Sequence, residues 1–269
     1  RISDQIEVPT FENTIVPLEK AGKAIDRVYA FYGIWSSNLS SPKFREIQSQ
    51  LAPELSEFYS RIKQHSRLFS RIKSIFEKRE ISDLRPDQVR LVELVHDSFV
   101  RNGANLNSSD KNAFTRINKR LAELYSLFSN NVLADEEGYV TFLRHEELAG
   151  LPESYVAAAR EAARTRGRPD DYAVTNTRSS MEPFLTYSEL RELRRKVWNN
   201  YYSRASNGDE RDNNKLISEI LNLRHERSIL LGYKSFAHWK LENNMALTPE
   251  NAMGLLSSIW PAALKRVED

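Results

Sequence analysis

The sequence predicts a mainly α-helical protein, a multi-helical array with a small mixed α/β insertion at about residues 135–178. Three observations favour this fold class. Apolar residues recur at steps of three and four along most of the 269 residues, as on the buried face of an amphipathic helix. Only 9 residues are glycine and 28% are charged, a composition typical of helical proteins. Two short β-type runs, 139–142 and 172–175, fall inside the interval where the helical register is lost.

The first 134 residues predict five helices. Their apolar registers cover residues 15–35, 44–62, 68–76, 89–99 and 114–128. We expect Asn13 or Thr14 to cap the first helix, which extends to about residue 36, and Asp110 or a preceding serine to cap the fifth. Pro53 lies inside the second register and should kink that helix or divide it in two. The fourth helix begins at Pro86 and ends before Gly103.

The register changes at Asp135. An alanine-rich helix begins at Leu151-Pro152-Glu153 and ends at Gly167, between the two β candidates. We therefore expect three regions: helices over 1–134, a small α/β insertion over 135–180, and a second helical region over 181–269.

Residues 188–246 organise the second helical region. Apolar faces over 190–201 and 216–230 predict two helices, separated by a break at Asn207-Gly208. Gly232 should end the second one in a left-handed conformation. Tyr233, Phe236 and Trp239 then follow at steps of three and predict a short helix with inward-facing aromatic side chains.

A final helix follows Thr248, its expected N-cap, and Pro249, its expected first residue. Its apolar face consists of Met253, Leu256, Trp260 and Leu264. Asp269 comes without a cap, glycine or proline, so we expect the chain to be cut there. An apolar face at a cut end favours self-association; the alternative is that this helix folds back onto the helix over 216–230.

Three blocks of residues carry a resemblance to a known family. The first is residues 224–246, with Leu230-Leu231-Gly232-Tyr233, Phe236-Ala237, Trp239-Lys240 and Met245-Ala246. The second is Pro9-Thr10-Phe11-Glu12-Asn13-Thr14, with Pro17-Leu18-Glu19 and Gly22; the third is Leu91-Val92-Glu93, with Phe99 and Gly103-Ala104. In this order and spacing, the blocks resemble the thimet oligopeptidase family of zinc metallopeptidases, in its bacterial peptidyl-dipeptidase and oligopeptidase A branch.

The zinc-binding motif of that family is absent from the sequence. In H-E-x-x-H, two histidines on one helix face hold zinc and the glutamate activates a water molecule. The chain has five histidines, and two of them begin H-E. After His145-Glu146 the second ligand position is Ala149, and after His225-Glu226 it is Ile229. We therefore assign no catalytic, cofactor-binding or metal-binding residue, and we expect zinc in a full-length enzyme but none in this chain.

The resemblance implies the N-terminal, non-catalytic part of an oligopeptidase or peptidyl-dipeptidase that hydrolyses short peptides and forms one wall of its substrate channel. The alternative is a stand-alone helical scaffold that binds a protein partner, although no repeat at a fixed period supports it. We expect a cytoplasmic protein, with the periplasm as the alternative because a removed signal peptide leaves no trace.

Nucleic acid and membranes are not expected partners. The net charge is only +2, from 39 basic and 37 acidic residues, so no strong field attracts a polyanion. The basic cluster over 191–196 is better explained as a solvated helix face. No apolar run approaches the roughly 18 residues that a membrane span needs.

Overall fold

The computed structural model describes residues 1–268; Asp269, where we expected a cut, lies outside the described residues. The predicted fold class is confirmed, since the chain is mainly helical with one small two-stranded sheet among the described residues. Residues 1–123 and 220–268 form one compact unit, here the first unit, and residues 124–219 form the second unit. The division at 1–134, 135–180 and 181–269 stays a prediction.

The helices and strands follow one another in this order: α1 Val16–Ala21, α2 Lys23–Asn38, α3 Pro42–Lys63, α4 Ser66–Lys78, α5 Pro86–Val100, α6 Ser108–Gly138, β1 Val140–Leu143, α7 Glu153–Arg164, β2 Tyr172–Thr175, α8 Arg178–Tyr187, α9 Arg191–Tyr202, α10 Asn214–Leu230, α11 Phe236–Leu241 and α12 Pro249–Glu268. A π-helical turn, Phe11–Ile15, precedes α1, and short 3-10 turns lie at Ile2–Asp4, Arg79–Ile81 and His145–Glu147.

The helical chain begins earlier than we expected, and Thr10 caps it. The hydroxyl oxygen of Thr10 accepts from the backbone N–H of Asn13 at 3.1 Å, while Asn13 Oδ1 accepts from the Thr10 N–H at 2.8 Å. This reciprocal pair satisfies two N–H groups at the helix start. The prediction of Asn13 or Thr14 as the cap is therefore wrong: Asn13 is the far partner of the pair, and the buried Thr14 lies within the first turn. The predicted single helix is also interrupted, because α1 and α2 meet at Gly22.

A buried arginine ties this N-terminal segment to α4. Arg71 is 7% exposed and its guanidinium donates to neutral acceptors only. They are the Thr14 hydroxyl at 3.2 Å, Asn13 Oδ1 at 2.9 Å, the carbonyl oxygens of Gln5 and Glu7 at 3.1 and 3.0 Å, and Gln5 Oε1 at 2.9 Å. The charge is thus compensated by dipoles, and residues 5–14 are held on the helices by one side chain.

The core of the first unit lies between the N-terminal turn, α4 and α5. Its largest fully buried members include Ile15, Ile72 and Phe99, with Phe69 beside them. α3 runs as one helix through Pro53, so the proline does not divide it. α4 and α5 match the predicted third and fourth helices, and their apolar registers face this core.

The long helix α6 departs from the prediction at both ends. Its first free N–H groups are capped by Asn107, whose Oδ1 accepts from the Asp110 N–H at 2.9 Å. The prediction of Asp110 or a serine as the cap is therefore wrong; the Asp110 carboxylate instead accepts from Asn107 Nδ2 at 2.8 Å. At the other end α6 continues past Asp135 to Gly138, and the Asp135 side chain is buried.

The second unit contains the predicted sheet. β1 and β2 pair antiparallel with Val140 opposite Thr175 and Leu143 opposite Tyr172. The predicted β2 is confirmed residue for residue, and β1 begins one residue later than predicted. α7 confirms the alanine-rich helix and packs against the sheet through Ala159.

Helix α8 was not predicted from the sequence. Pro183 lies within this helix, and the residues of the helix do not form a strict apolar repeat. Its formation depends on packing, since Met181 and Phe184 are buried against β2 and α9. The backbone at Gly150 passes close to the end of α8. Its φ is +84°, and a Cβ there would lie 2.2 Å from the Tyr187 carbonyl oxygen.

The remaining helices follow the prediction closely. α9 and α10 match the two predicted registers, and Gly232 has the expected positive φ of +84°. Thr248 Oγ1 accepts from the Asn251 N–H at 3.2 Å, which confirms the predicted cap of α12. α11 is shorter than predicted because Ser235 caps it, and Tyr233 lies in the turn before it.

No helix among residues 1–268 combines the length and the apolar character that a membrane span needs.

Candidate functional site

Each of the five histidines lies in its own local setting. His65 caps α4, accepting from the Leu68 N–H at 3.3 Å, and His145 lies 3.4 Å from the Tyr172 hydroxyl. His238 is 2.8 Å from the Ser235 hydroxyl, and His225 is exposed on α10. The ring of His96 stacks on Phe76, with the centroids 3.8 Å apart.

A metal ion does not fit the residues that the structure describes. Within 1–268 no three His, Cys, Asp or Glu side chains are close enough to hold one. Both H-E pairs also lack the geometry of the zinc motif: His145 lies in a 3-10 turn, and position 229, one turn after His225, carries an isoleucine. The expectation that this chain itself binds no zinc stays a prediction.

The stretch that carries the family resemblance closes around Arg101, which follows α5. The Arg101 guanidinium donates to the carbonyl oxygen of Trp239, to the Glu242 carboxylate and to the Tyr233 hydroxyl. It also lies 5.1 Å from the centre of the Trp239 ring. The Arg101 guanidinium therefore binds residues 233–242 to the end of α5. This contact accounts for the inward orientation of the aromatic side chains.

Tyr233 is a perturbed titratable group in this cluster. Burial raises the pKa of Tyr233 to about 12, and the hydrogen bond and charge of Glu242 add to the effect. The Tyr233 hydroxyl donates to Glu242 Oε2 at 2.6 Å. A phenol that is neutral over the whole physiological range and already donates to a carboxylate serves as a structural link rather than as an acid or base.

Two arginines of α10 lie over the aromatic rings of this cluster. The Arg227 guanidinium lies 4.6 Å from the Trp239 ring centre and donates to Asn118 Oδ1 of α6 at 3.1 Å. The Arg224 guanidinium lies 4.8 Å from the Phe236 ring centre. These contacts agree with the prediction that the aromatic side chains of this short helix face inward.

The second unit contains a polar cluster that was not predicted from the sequence. Asp135 is fully buried, and its Oδ2 accepts from the Ala205 N–H at 2.8 Å and from Asn207 Nδ2 at 2.9 Å. Arg211 lies 3.5 Å from the other oxygen. Ala205 has a φ of +53°. One carboxylate thus fixes the strained loop between α9 and α10, and the signal in the sequence was an aspartate within an otherwise helical register.

Apolar surface remains open at two places in the first unit. On α2, the side chains of Val28, Phe31, Ile34 and Trp35 are 51–66% exposed. On α12, Met253, Leu256, Trp260 and Leu264 are 48–64% exposed. The predicted alternative in which α12 folds back and hides its own face is therefore not observed. Contiguous apolar surface of this kind is typical of a binding surface.

Comparison with known proteins gives matches over most of the chain. The model of the neurolysin/thimet oligopeptidase N-terminal domain matches residues 2–111, and the model of peptidase family M3 matches residues 184–269. Dipeptidyl carboxypeptidase of Escherichia coli is 31% identical over 98% of this chain and 39% of its own length. Oligopeptidase A of Haemophilus influenzae is 32% identical over 93% of this chain and 37% of its own length.

A plant relative shows the same relation. The probable cytosolic oligopeptidase A of Arabidopsis thaliana is 30% identical over 97% of this chain and 38% of its own length. The chain therefore spans about two fifths of the length of these relatives.

Proposed function

Because the chain belongs to the M3 family of metallopeptidases, we propose that it is the N-terminal, non-catalytic part of a zinc-dependent oligopeptidase or peptidyl-dipeptidase that hydrolyses short peptides. The observation that carries the proposal is the coverage: nearly the whole chain aligns with relatives that are more than twice as long. The names of these relatives, dipeptidyl carboxypeptidase and oligopeptidase A, supply the substrate class.

Zinc and the catalytic base would come from sequence that is not in this chain. Sequencing the coding region that flanks residues 1–269 tests this. We expect an H-E-x-x-H motif encoded downstream in the same frame. A stop codon directly after residue 269 would overturn the proposal and would favour the alternative, a helical scaffold that binds a protein partner.

The isolated chain should be inactive, because a bound metal and its base generate the nucleophile in such enzymes. The measurement is cleavage of a short fluorogenic peptide by the purified chain, with and without a chelator. Chelator-sensitive cleavage, or one zinc retained per chain after dialysis, would contradict the assignment of no catalytic and no metal-binding residue.

Within the longer enzyme, the first unit would form one wall of the substrate channel. The exposed apolar side chains of α2 support this role, since they can contact the side chains of an unfolded peptide. An NMR titration of the chain with a short apolar peptide should show weak binding that Trp35→Glu abolishes. Trp198→Glu is the matched control, because Trp198 is similarly exposed, at 49%, but lies in the second unit. Equal loss in both variants would contradict the assignment.

Self-association is proposed for the chain on its own, through the open face of α12. At about 25 cal/mol per Å², burying such a face offsets part of the cost of association, which is about 4–15 kcal/mol. Sedimentation velocity at high concentration should show a dimer that Trp260→Glu dissociates and Trp198→Glu does not. A strict monomer, unchanged by Trp260→Glu, would rule this out.

We also propose a cytoplasmic location. The support is the name of the relative from Arabidopsis thaliana, a probable cytosolic oligopeptidase A. Fractionation of the source cells tests it, and recovery from the periplasm would favour the alternative location.

A further inference from the structure

A cavity of about 390 Å³ lies within the first unit, between α1, the start of α2, α3 and α5. Its walls are mostly aliphatic and aromatic, and they include Leu18, Ile25, Phe58, Leu91 and Leu94. The volume falls in the range of about 300–1,000 Å³ that small-molecule pockets occupy. Neither the Arg101 cluster nor the open face of α12 contributes to it.

Lys63 brings a positive charge into this apolar cavity. Its Nζ donates to the Ser98 hydroxyl oxygen at 2.8 Å and lies 4.6 Å from the centre of the Phe99 ring. No carboxylate among residues 1–268 forms an ion pair with Nζ. An ammonium has three N–H donors, so the contact with Ser98 leaves donors for a further acceptor.

The environment of Lys63 disfavours its charged form, and the side chain lacks a carboxylate partner. Burial lowers the pKa of Lys63, and the charge of Glu19 opposes this only in part. Lys63 is half-buried, and a partly desolvated cation without a paired carboxylate is stabilised by an anion that enters the same cavity. Glu19 lines the cavity as well, but its side chain is exposed. A rim carboxylate repels a second negative charge, so the cavity favours a ligand with a single negative charge.

We propose that this cavity binds a small monocarboxylate with an apolar body, such as an arylalkanoate. The carboxylate accepts from Lys63 Nζ and from the Ser98 hydroxyl, and the apolar body lies against Phe58, Leu91 and Leu94. The proposal does not depend on the function proposed above, since it uses only the geometry of the first unit.

The first test compares two ligands on the unmodified 269-residue chain by NMR titration. 3-Phenylpropionate should bind with a Kd of about 0.1–1 mM, a typical affinity for a ligand of this size. 3-Phenylpropanol, which has the same body without the charge, should bind at least about tenfold more weakly. Equal affinities for the two compounds, or no binding of the carboxylate at 5 mM, about five times the weakest expected Kd, would overturn the proposal.

The second test uses variants that separate the charge from the fold. Lys63→Met should weaken 3-phenylpropionate binding by about tenfold or more, whereas Lys63→Arg, which retains the cation, should stay within about fivefold. Lys73→Met is the matched control, because Lys73 is an exposed lysine of the same unit and should leave the affinity unchanged. Glu19→Gln should tighten binding by up to about threefold at low salt. An unchanged Kd in Lys63→Met, or equal weakening by Lys73→Met, would refute the assignment of Lys63.

Discussion

Replacing Arg71 by methionine should release the N-terminal segment from α4 while keeping most of the side-chain stem. Five hydrogen bonds from the guanidinium are lost, and two of their acceptors, Thr14 Oγ1 and Asn13 Oδ1, lie in the buried or half-buried part of the turn. Asn13 Oδ1 still accepts from the Thr10 N–H, and the Thr14 hydroxyl still donates to Asn13 Oδ1. The loss is therefore that of hydrogen bonds to a charged group, each worth about 1.5–3 kcal/mol. Glu7 is an exposed residue whose carbonyl can regain water, so we expect a total loss of about 3 kcal/mol in the local stability of residues 5–15.

Hydrogen exchange measured by mass spectrometry reports this local stability. Each 1.4 kcal/mol changes the open population tenfold, so amides in residues 8–15 should exchange about 100-fold faster in Arg71→Met. Peptides from the strands of the second unit, 140–143 and 172–175, provide an internal control and should not change. Arg67→Met is the matched variant, because Arg67 lies on the same helix, is 69% exposed and pairs only with Asp4 at the surface.

Acceleration of less than about fivefold in residues 8–15, or an equal effect of Arg67→Met, would refute the role of Arg71 as the anchor of this segment. Equal acceleration in the strands would show that the loss is global, not local, and would contradict the role assigned to the guanidinium.

Three further predictions concern stability. Burial lowers the pKa of His96, and Asp97 opposes this shift. The unfolded chain therefore binds more protons than the folded chain below about pH 6.5. The urea concentration at the midpoint of unfolding should be lower at pH 5.5 than at pH 7.5, with a smaller difference in His96→Phe. Gly150→Ala should cost about 2–4 kcal/mol in unfolding free energy, because the new Cβ meets backbone at a positive φ; Gly167→Ala, at φ +74° in open space, should cost about 1 kcal/mol, and equal urea midpoints would contradict this. Asp135→Ala should cost about 3 kcal/mol and increase proteolysis of residues 203–213, and unchanged cleavage there would disprove its role in holding that loop.

Much of the helical architecture follows from local sequence patterns. The registers of α3, α4, α5 and α9 were predictable because a repeat of three and four residues specifies both a helix and its buried face. The cap of α12 was predictable for a similar reason, since Thr248 and Pro249 act within one turn of the chain. The strand β2 was predictable from a run of β-type residues bounded by turn signals.

The errors occur where one residue can satisfy its polar groups in two ways. Thr10, Asn13 and Thr14 could each cap a helix. Thr10 is the observed cap, and Asn13 Oδ1 also accepts a hydrogen bond from Arg71 of α4. Asn107 displaced Asp110 as a cap in a pair where both side chains are competent. α8 was missed because its apolar side chains are arranged for packing against β2 and α9, and Pro183 obscures the register.

The sequence alone determined the fold class, the approximate helices and the family resemblance, because these depend on residue spacing within one segment of chain. The sequence also showed that H-E-x-x-H is absent, since that motif is local. Only the tertiary structure revealed the Arg71 anchor, the Asp135 cluster and the Lys63 cavity. Each joins residues that are 35 to 76 positions apart in sequence or that line one space from several helices. No periodicity within a segment predicts these long-range contacts. They form when the helices pack and buried polar groups require hydrogen-bond partners.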